Sequence, residues 1–442
     1  MTFTLDFSDR TSAAVRLRRK RMTLIALSCV TVASVVTGTA GLAAAASPAP
    51  TAVVAKHADS SLPGLDPDAL RRAMSSAPDR VTGALAQVSG PAGQWSGTYG
   101  VADTVTGAPV AVNGRFRLGS VTKTFIATVV LQLVAEKRVD LDEPVQRYLP
   151  DVLPADYPPI PVRSLLDFTS SLPELTADDL PTTPEGIVEH RFDDHPFAEL
   201  VAKAVRHDRL FPVPGDRQVY GATGYYVAGM LIEKLTGHRY QQEITNRILR
   251  PLDLRHTTAP ETDTTIPGPH SHGYISVPQS GGGTRLVDIT EQNPGAGGMI
   301  STTGDLDRFL TALLRGRLLP PSRMADLFTV PNVLYLGGNS ENPGHGRAYY
   351  SAGLMRVTLP DGVTVWGKTG STFGYTDGMF TTRDLRRRLV YSFNPTTGGG
   401  NDFELVTRLV SATFNPRGRR GSARDAIPPR GRIPCLTHRS MP

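Results

Sequence analysis

Ser120 and Lys123 stand three residues apart in RLGSVTKTF, residues 117–125, at the mouth of the apolar run IATVVLQLVAEK. Only seven lysines occur among the 442 residues, so a lysine in that place raises a chemical question. On a helix, positions three apart share a face, and the hydroxyl and the ammonium would lie together. Serine is a poor nucleophile until a base takes its proton, and a lysine among apolar side chains acquires the lowered pKa that makes it such a base. A hydroxyl at a helix start also sits beside unpaired N–H groups and the positive end of the dipole, where an oxyanion is stabilised. The spacing alone is a weak signal. Ser-x-x-Lys arises by chance roughly half a time in a chain with this lysine content, and a solvated helix start accounts for it equally well.

A second stretch adds weight. WGKTGSTFGY, residues 366–375, closes an expected strand and holds Lys368, Thr369 and Gly370, a triplet expected by chance in roughly one such chain in twenty. Ser-x-x-Lys and Lys-Thr-Gly occur together in penicillin-binding proteins and serine β-lactamases. Five segments, RLGSVTK, FPVPGDRQVYGATGYYVAGMLIEKLTG, PLDLRHT, GAGGMISTTGDLDRFL and GKTGSTFGY, follow one another in an order that resembles this family. The likeness is to its D-alanyl-D-alanine carboxypeptidase and class C β-lactamase branch, and it covers roughly residues 65–415.

The resemblance implies roles residue by residue. Ser120 is the acylated nucleophile, Lys123 its activating partner and Tyr220 the tyrosine that relays the proton to the leaving group. Lys368, Thr369 and Gly370 form the strand edge along which substrate lies, and the backbone N–H groups of Ser120 and Ser371 form the oxyanion hole. The implied activity is that of a D-alanyl-D-alanine carboxypeptidase trimming peptidoglycan stem peptides. An esterase or β-lactamase of the same fold, acting on an ester or lactam, and a non-catalytic wall-binding relative are the alternatives. No metal or organic cofactor is implied.

Two departures from the family pattern stand out. Where relatives have Tyr-Ser-Asn, this chain has Tyr220, Gly221 and Ala222, so an amide that contacts substrate is missing and slower peptide turnover is expected. Where many relatives have His-Thr-Ser-Gly-Leu, DFTSSL at 167–172 puts Phe168 and Ser171 in place of the His and the Gly, which reads as scaffold variation.

Composition narrows the class. With 40% apolar residues the chain can bury a sizeable core. The net charge of +6 resides at the ends: residues 1–21 carry +4 and residues 416–442 carry +6, leaving −4 for residues 22–415. A nucleic-acid footprint on the folded body is therefore not expected. RLRRKR, the apolar stretch MTLIALSCVTVASVVTGTAGL and AAAASPAP form the three parts of a secretory signal ending near Ala46, so the protein is expected outside the cell or associated with its wall. An uncleaved membrane anchor is the alternative. Cys29 falls in that segment and Cys435 in the tail, so no disulfide framework is available to the body. No Gly-x-Ser-x-Gly or His-Glu-x-x-His occurs, and the HSH of residues 270–272, between Pro269 and Gly273, reads as a loop.

The elements that must hold these residues follow from periodicity and breakers. Asp66 and Pro67 predict a helix start; VTGALAQVSG and GQWSGTYGVAD predict a strand pair; the helix after Ser120 is predicted to run to about Lys137. Residues 140–290 read as helices joined by Pro-rich loops with few strands, the Gly-rich 280–283 among the loops. Strands return after 350, and DFELVTRLVSATF closes with a helix. The expected class is α+β: an antiparallel sheet flanked by helices, with an inserted mostly helical domain. The expected boundaries are a signal at 1–46, a linker at 47–65, a discontinuous sheet domain at 66–139 and 291–415, the helical domain at 140–290, and a disordered basic tail at 416–442.

Overall fold

A computed structural model describes residues 62, 64–75, 77, 80–293, 298–336, 346–397 and 403–415. The signal segment, most of the linker, residues 295–297 of GAGGM and the basic tail lie outside the described residues. The described residues form one compact unit.

Helix α1 (Pro67–Ser75) begins where the Asp66 carboxylate accepts the N–H groups of Asp68 and Ala69 at 3.1 and 2.9 Å, with Pro67 in the first turn as expected. The hairpin β1 (Val81–Ser89) and β2 (Trp95–Gly100) follows, then the short β3 (Phe116–Arg117) and helix α2 (Thr122–Ala135). Ten of the fourteen α2 residues are buried, because its side chains are apolar on nearly every face. This makes α2 a core element and a rigid base for the residues at its start. It ends two residues earlier than expected, and Lys137 turns into the left-handed region at φ 59°.

Helices α3 (Val162–Leu166), α4 (Pro184–Glu189) and α5 (Phe197–Ala204), the two-residue β4 (Arg217–Gln218), and helices α6 (Thr223–Thr236) and α7 (Tyr240–Ile244) come next. The hairpin β5 (Tyr274–Pro278) and β6 (Thr284–Asp288) then departs from the expectation of a nearly strandless middle. The Gly-rich stretch read as a loop is its turn, with Gly282 and Gly283 at φ 88° and 80°, values that glycine adopts without strain. After it come β7 (Ile300–Ser301), α8 (Thr303–Leu314), α9 (Pro321–Phe328), β8 (Leu334–Tyr335), β9 (Met355–Thr358), β10 (Thr364–Thr372), β11 (Tyr375–Thr382), β12 (Arg388–Pro395) and α10 (Phe403–Phe414). The Thr302 hydroxyl caps α8 by accepting from Asp305 N at 3.2 Å.

The class is α+β. One antiparallel sheet of six strands, ordered β2-β1-β12-β11-β10-β9, draws its strands from the two ends of the described chain. Helix α8 packs on β1, β11 and β12, and the stacked rings of Phe125 and Phe309, 3.8 Å apart, join α2 to α8. Strand β9 pairs with β10 only from Thr364 to Gly367, so on that side the sheet partner stops just before Lys368. The following residues of β10 therefore reach the site as the margin of the sheet.

Candidate active site

Ser120 lies two residues before α2, and Lys123 is in its first turn. Lys123 Nζ donates to Ser120 Oγ at 3.2 Å, and the Tyr220 hydroxyl, 100 residues away in sequence, donates to the same oxygen at 2.5 Å. Burial pushes the Lys123 ammonium down to about 8, while the Glu174 carboxylate works in the opposite direction. The rings of Tyr220 and Tyr225 flank the nitrogen at 5.4 and 5.8 Å. A lysine held so close to neutrality beside a serine hydroxyl is able to accept that hydroxyl's proton.

The placement of Tyr220 depends on residues that the motif does not include. Gln218, fully buried, donates from Nε2 to the carbonyls of Asp167 and Tyr350 at 2.7 and 3.0 Å and accepts at Oε1 from the N–H groups of Tyr349 and Tyr350. All the usual bonding capacity of its amide is thus spent on fixing the strand that leads into Tyr220. The Phe168 ring packs 4.7 Å from the rings of both Tyr220 and Tyr350. Phe168 and Ser171 hold φ of 63° and 61°, conformations that cost a non-glycine residue of order 1 kcal/mol or more. The segment DFTSSL, read from sequence as scaffold variation, is therefore the strained turn on which the tyrosine rests.

The missing amide at Ala222 leaves no polar gap. Gly221 lacks a Cβ where one would fall 2.0 Å from Glu174 Oε1. The Glu174 carboxylate fills that space and accepts from Ala222 N at 2.7 Å and Thr223 N at 3.2 Å, capping α6, whose own Ala222 has no capping side chain. Burial pushes the Glu174 carboxyl up, while these N–H groups and Lys123 hold it down. Because its charge raises the Lys123 pKa, Glu174→Gln lets burial lower it further. Neutral Lys123 is then present at lower pH. For a reaction that needs neutral Lys123, the acid limb of the pH–kcat/KM profile should move down by about half a unit. A profile that stayed in place or moved up would show that Glu174 does not set the charge of Lys123.

Strand β10 supplies the opposite wall. Lys368 is buried, its ammonium 4.7 Å from the Tyr220 ring centroid and donating to the Thr369 carbonyl at 2.9 Å. It faces the tyrosine, whereas Ser371, with Thr372 and Phe373, lines a cleft of about 300 Å³ that also contains Ser120 and Lys123. Thr369 and Gly370 connect the two along the strand, paired with Gly378 and Asp377 of β11. Gly119 explains how Ser371 comes so near the nucleophile: a Cβ on Gly119 would lie 2.2 Å from Ser371 N. With no side chain between them, the peptide of Ser371 abuts the residue before Ser120. The rest of the cleft is lined by Leu180, Pro181, Ile187 and Tyr226 and by the pair His190 and Asp193, whose Nδ1 and Oδ2 are 2.8 Å apart.

The structure thus brings together Ser120, Lys123, Tyr220, Lys368 and Ser371. His270 and His272 engage Gly268 O and Asp288 Oδ2 at 2.7 and 2.6 Å. Glu174 and Gln218 carry no motif in the sequence, and Phe168 stands out there only as a departure from the family pattern; for Glu174 the nearest signal is the Gly221-Ala222 departure, which leaves room for a side chain from elsewhere.

Residues 70–413 match the family model described as Beta-lactamase. The chain belongs to the beta-lactamase family. That family consists of serine hydrolases that act through an acyl-enzyme, and the fold is that of β-lactamases and transpeptidases. Among solved structures, the D-stereospecific amidohydrolase from Streptomyces sp. is 36% identical with a TM-score of 0.68, over 79% of this chain and 99% of that one. The D-amino acid amidase from Ochrobactrum anthropi SV3, complexed with D-phenylalanine, is 27% identical with a TM-score of 0.65, over 78% and 98%. Penicillin-binding protein 4* of Bacillus subtilis (strain 168) is 25% identical over 312 residues, 67% of this chain and 64% of that protein. Protein flp of Staphylococcus aureus (strain MW2) is 27% identical over 237 residues, 52% of this chain and 44% of that protein, so the match spans less than half of that relative's length.

Proposed function

We propose that this protein is a serine amidohydrolase that forms an acyl-enzyme on Ser120 and cleaves the amide on the carboxyl side of a D-configured residue with an apolar side chain. The observation that carries this reading is the convergence of Lys123 Nζ and the Tyr220 hydroxyl on Ser120 Oγ, at 3.2 and 2.5 Å. Neutral Lys123 takes the serine proton as Oγ attacks the amide carbon. The oxyanion lies between the N–H groups of Ser120 and Ser371. Tyr220 donates its proton to the leaving nitrogen and is reprotonated by Lys123, the C–N bond breaks and the amine departs, and a water that gives one proton to neutral Lys123 then attacks the ester, the proton returning to Ser120 Oγ as the acid is released.

The preference for a D-residue and an amide is supported by the likeness to the Streptomyces amidohydrolase and the Ochrobactrum amidase. The apolar side chain is supported by the cleft wall of Ile187, Tyr226 and Phe373. The D-alanyl-D-alanine carboxypeptidase expectation belongs to the same reaction class, with a small side chain on the acyl side and D-alanine as leaving group. A panel of D-phenylalanine amide, L-phenylalanine amide, D-alanine amide and a peptide ending in D-Ala-D-Ala separates the two. The expected order of kcat/KM is D-phenylalanine amide above D-alanine amide, and D above L by at least about tenfold. Equal rates on the D- and L-amides would overturn the stereochemical assignment. Turnover of the peptide with every amide untouched would overturn the amidase reading in favour of the carboxypeptidase.

A further inference from the structure

Asp377 is fully buried on β11, directly across from Gly370 of β10. Its Oδ1 accepts from Gly119 N at 3.1 Å, the N–H of the residue just before the nucleophile. The carboxyl fits only because Gly370 has no side chain: a Cβ there would fall 2.2 Å from Oδ1 and 2.8 Å from Oδ2. Oδ2 has no hydrogen-bond partner, and neither does the buried Oγ of Ser392, the residue paired with Asp377 on β12. One carboxyl therefore ties the segment carrying Ser120 to β11, the strand paired with the Ser371-bearing β10, beside the place where Gly119 and Ser371 are already in backbone contact.

We propose that Asp377 is a positioning residue for the reaction: by holding the Gly119 peptide to β11, and so beside the paired β10, it sets the spacing of the Ser120 and Ser371 N–H groups that receive the oxyanion. The inference rests on the acyl-enzyme reading of Ser120. Burying a carboxylate costs free energy unless it is hydrogen-bonded and paired with opposite charge. Burial pushes the carboxyl up to about 7, while the Gly119 N–H and the Lys368 ammonium hold it down. The acceptor oxygen matters more than the charge, since an amide oxygen in the same place also accepts the Gly119 N–H, though more weakly than a carboxylate.

The experiment compares Asp377→Ala, which removes the acceptor, with Asp377→Asn, which keeps it. For the best amide substrate, Asp377→Ala should lower kcat about 100-fold with KM within about threefold of the parent, and Asp377→Asn should recover kcat to within about tenfold. A folded alanine variant with unchanged kcat, or an asparagine variant that loses as much as alanine, would overturn the positioning role. If the alanine variant does not fold, the asparagine variant decides: kcat retained to within about tenfold supports the role, and a larger loss overturns it. Failure of the underlying reading is seen separately, as a parent enzyme that turns substrate over without acylation of Ser120.

Discussion

Lys123→Ala should lower kcat/KM on an amide by about 10³-fold or more and leave a folded protein. The size follows from what the lysine does. Without it, Ser120 keeps its proton until attack, and the groups remaining near Oγ are the Tyr220 hydroxyl and the oxyanion donors. The parent enzyme's pH profile carries the same information. A base whose pKa burial has brought to about 8 is mostly protonated below that value. Activity should therefore rise about tenfold per pH unit from 6 toward 8 and level off above it. A variant retaining more than about a tenth of parental activity, or a parent profile flat from pH 6 to 9, would show that the proton goes elsewhere.

Gly119→Ala should lower kcat by about 10²- to 10³-fold, a loss of the size seen when one oxyanion donor is removed. An added Cβ would lie 2.2 Å from Ser371 N and 2.4 Å from Ser371 O, and both neighbours are backbone, so no flexible side chain can give way. Either β10 or the segment before Ser120 must move, and in both cases the two donors separate. Substrate binding depends mainly on the cleft walls, so KM should change much less than kcat. Steady-state kinetics on the preferred amide checks this. Unchanged kcat would mean that the Ser120 and Ser371 N–H groups do not act together.

What could be read in the sequence was whatever chemistry is local. Ser120 and Lys123 share a helix turn, and Lys368 to Ser371 share a strand, so residue type and spacing sufficed to pick them out. The six-stranded sheet is visible as strand patterns at both ends of the chain, although the β5–β6 hairpin is not, because in sequence a Gly-rich hairpin turn looks the same as a loop. Tyr220 came only through resemblance to the family. Glu174 and Asp377 carried no signal: each is an ordinary acid in its own segment, and its role arises from backbone N–H groups far away in sequence, those of Ala222 and Thr223 for one and that of Gly119 for the other. Glycines 119, 221 and 370 gave the indirect sign, since each marks a place where another group approaches too closely for a side chain. Phe168 and Ser171 stayed obscure for the opposite reason, because local propensity disfavours the left-handed backbone they adopt.

The measurement that tests the central claim most directly is the mass of the enzyme acid-quenched within milliseconds of mixing with a D-phenylalanine ester, followed by peptide mapping. An ester acylates readily, which favours accumulation of the intermediate. The expected result is a phenylalanyl adduct on the peptide containing Ser120, absent from Ser120→Ala. An adduct that maps to another residue, or that persists in Ser120→Ala, would contradict Ser120 as the nucleophile.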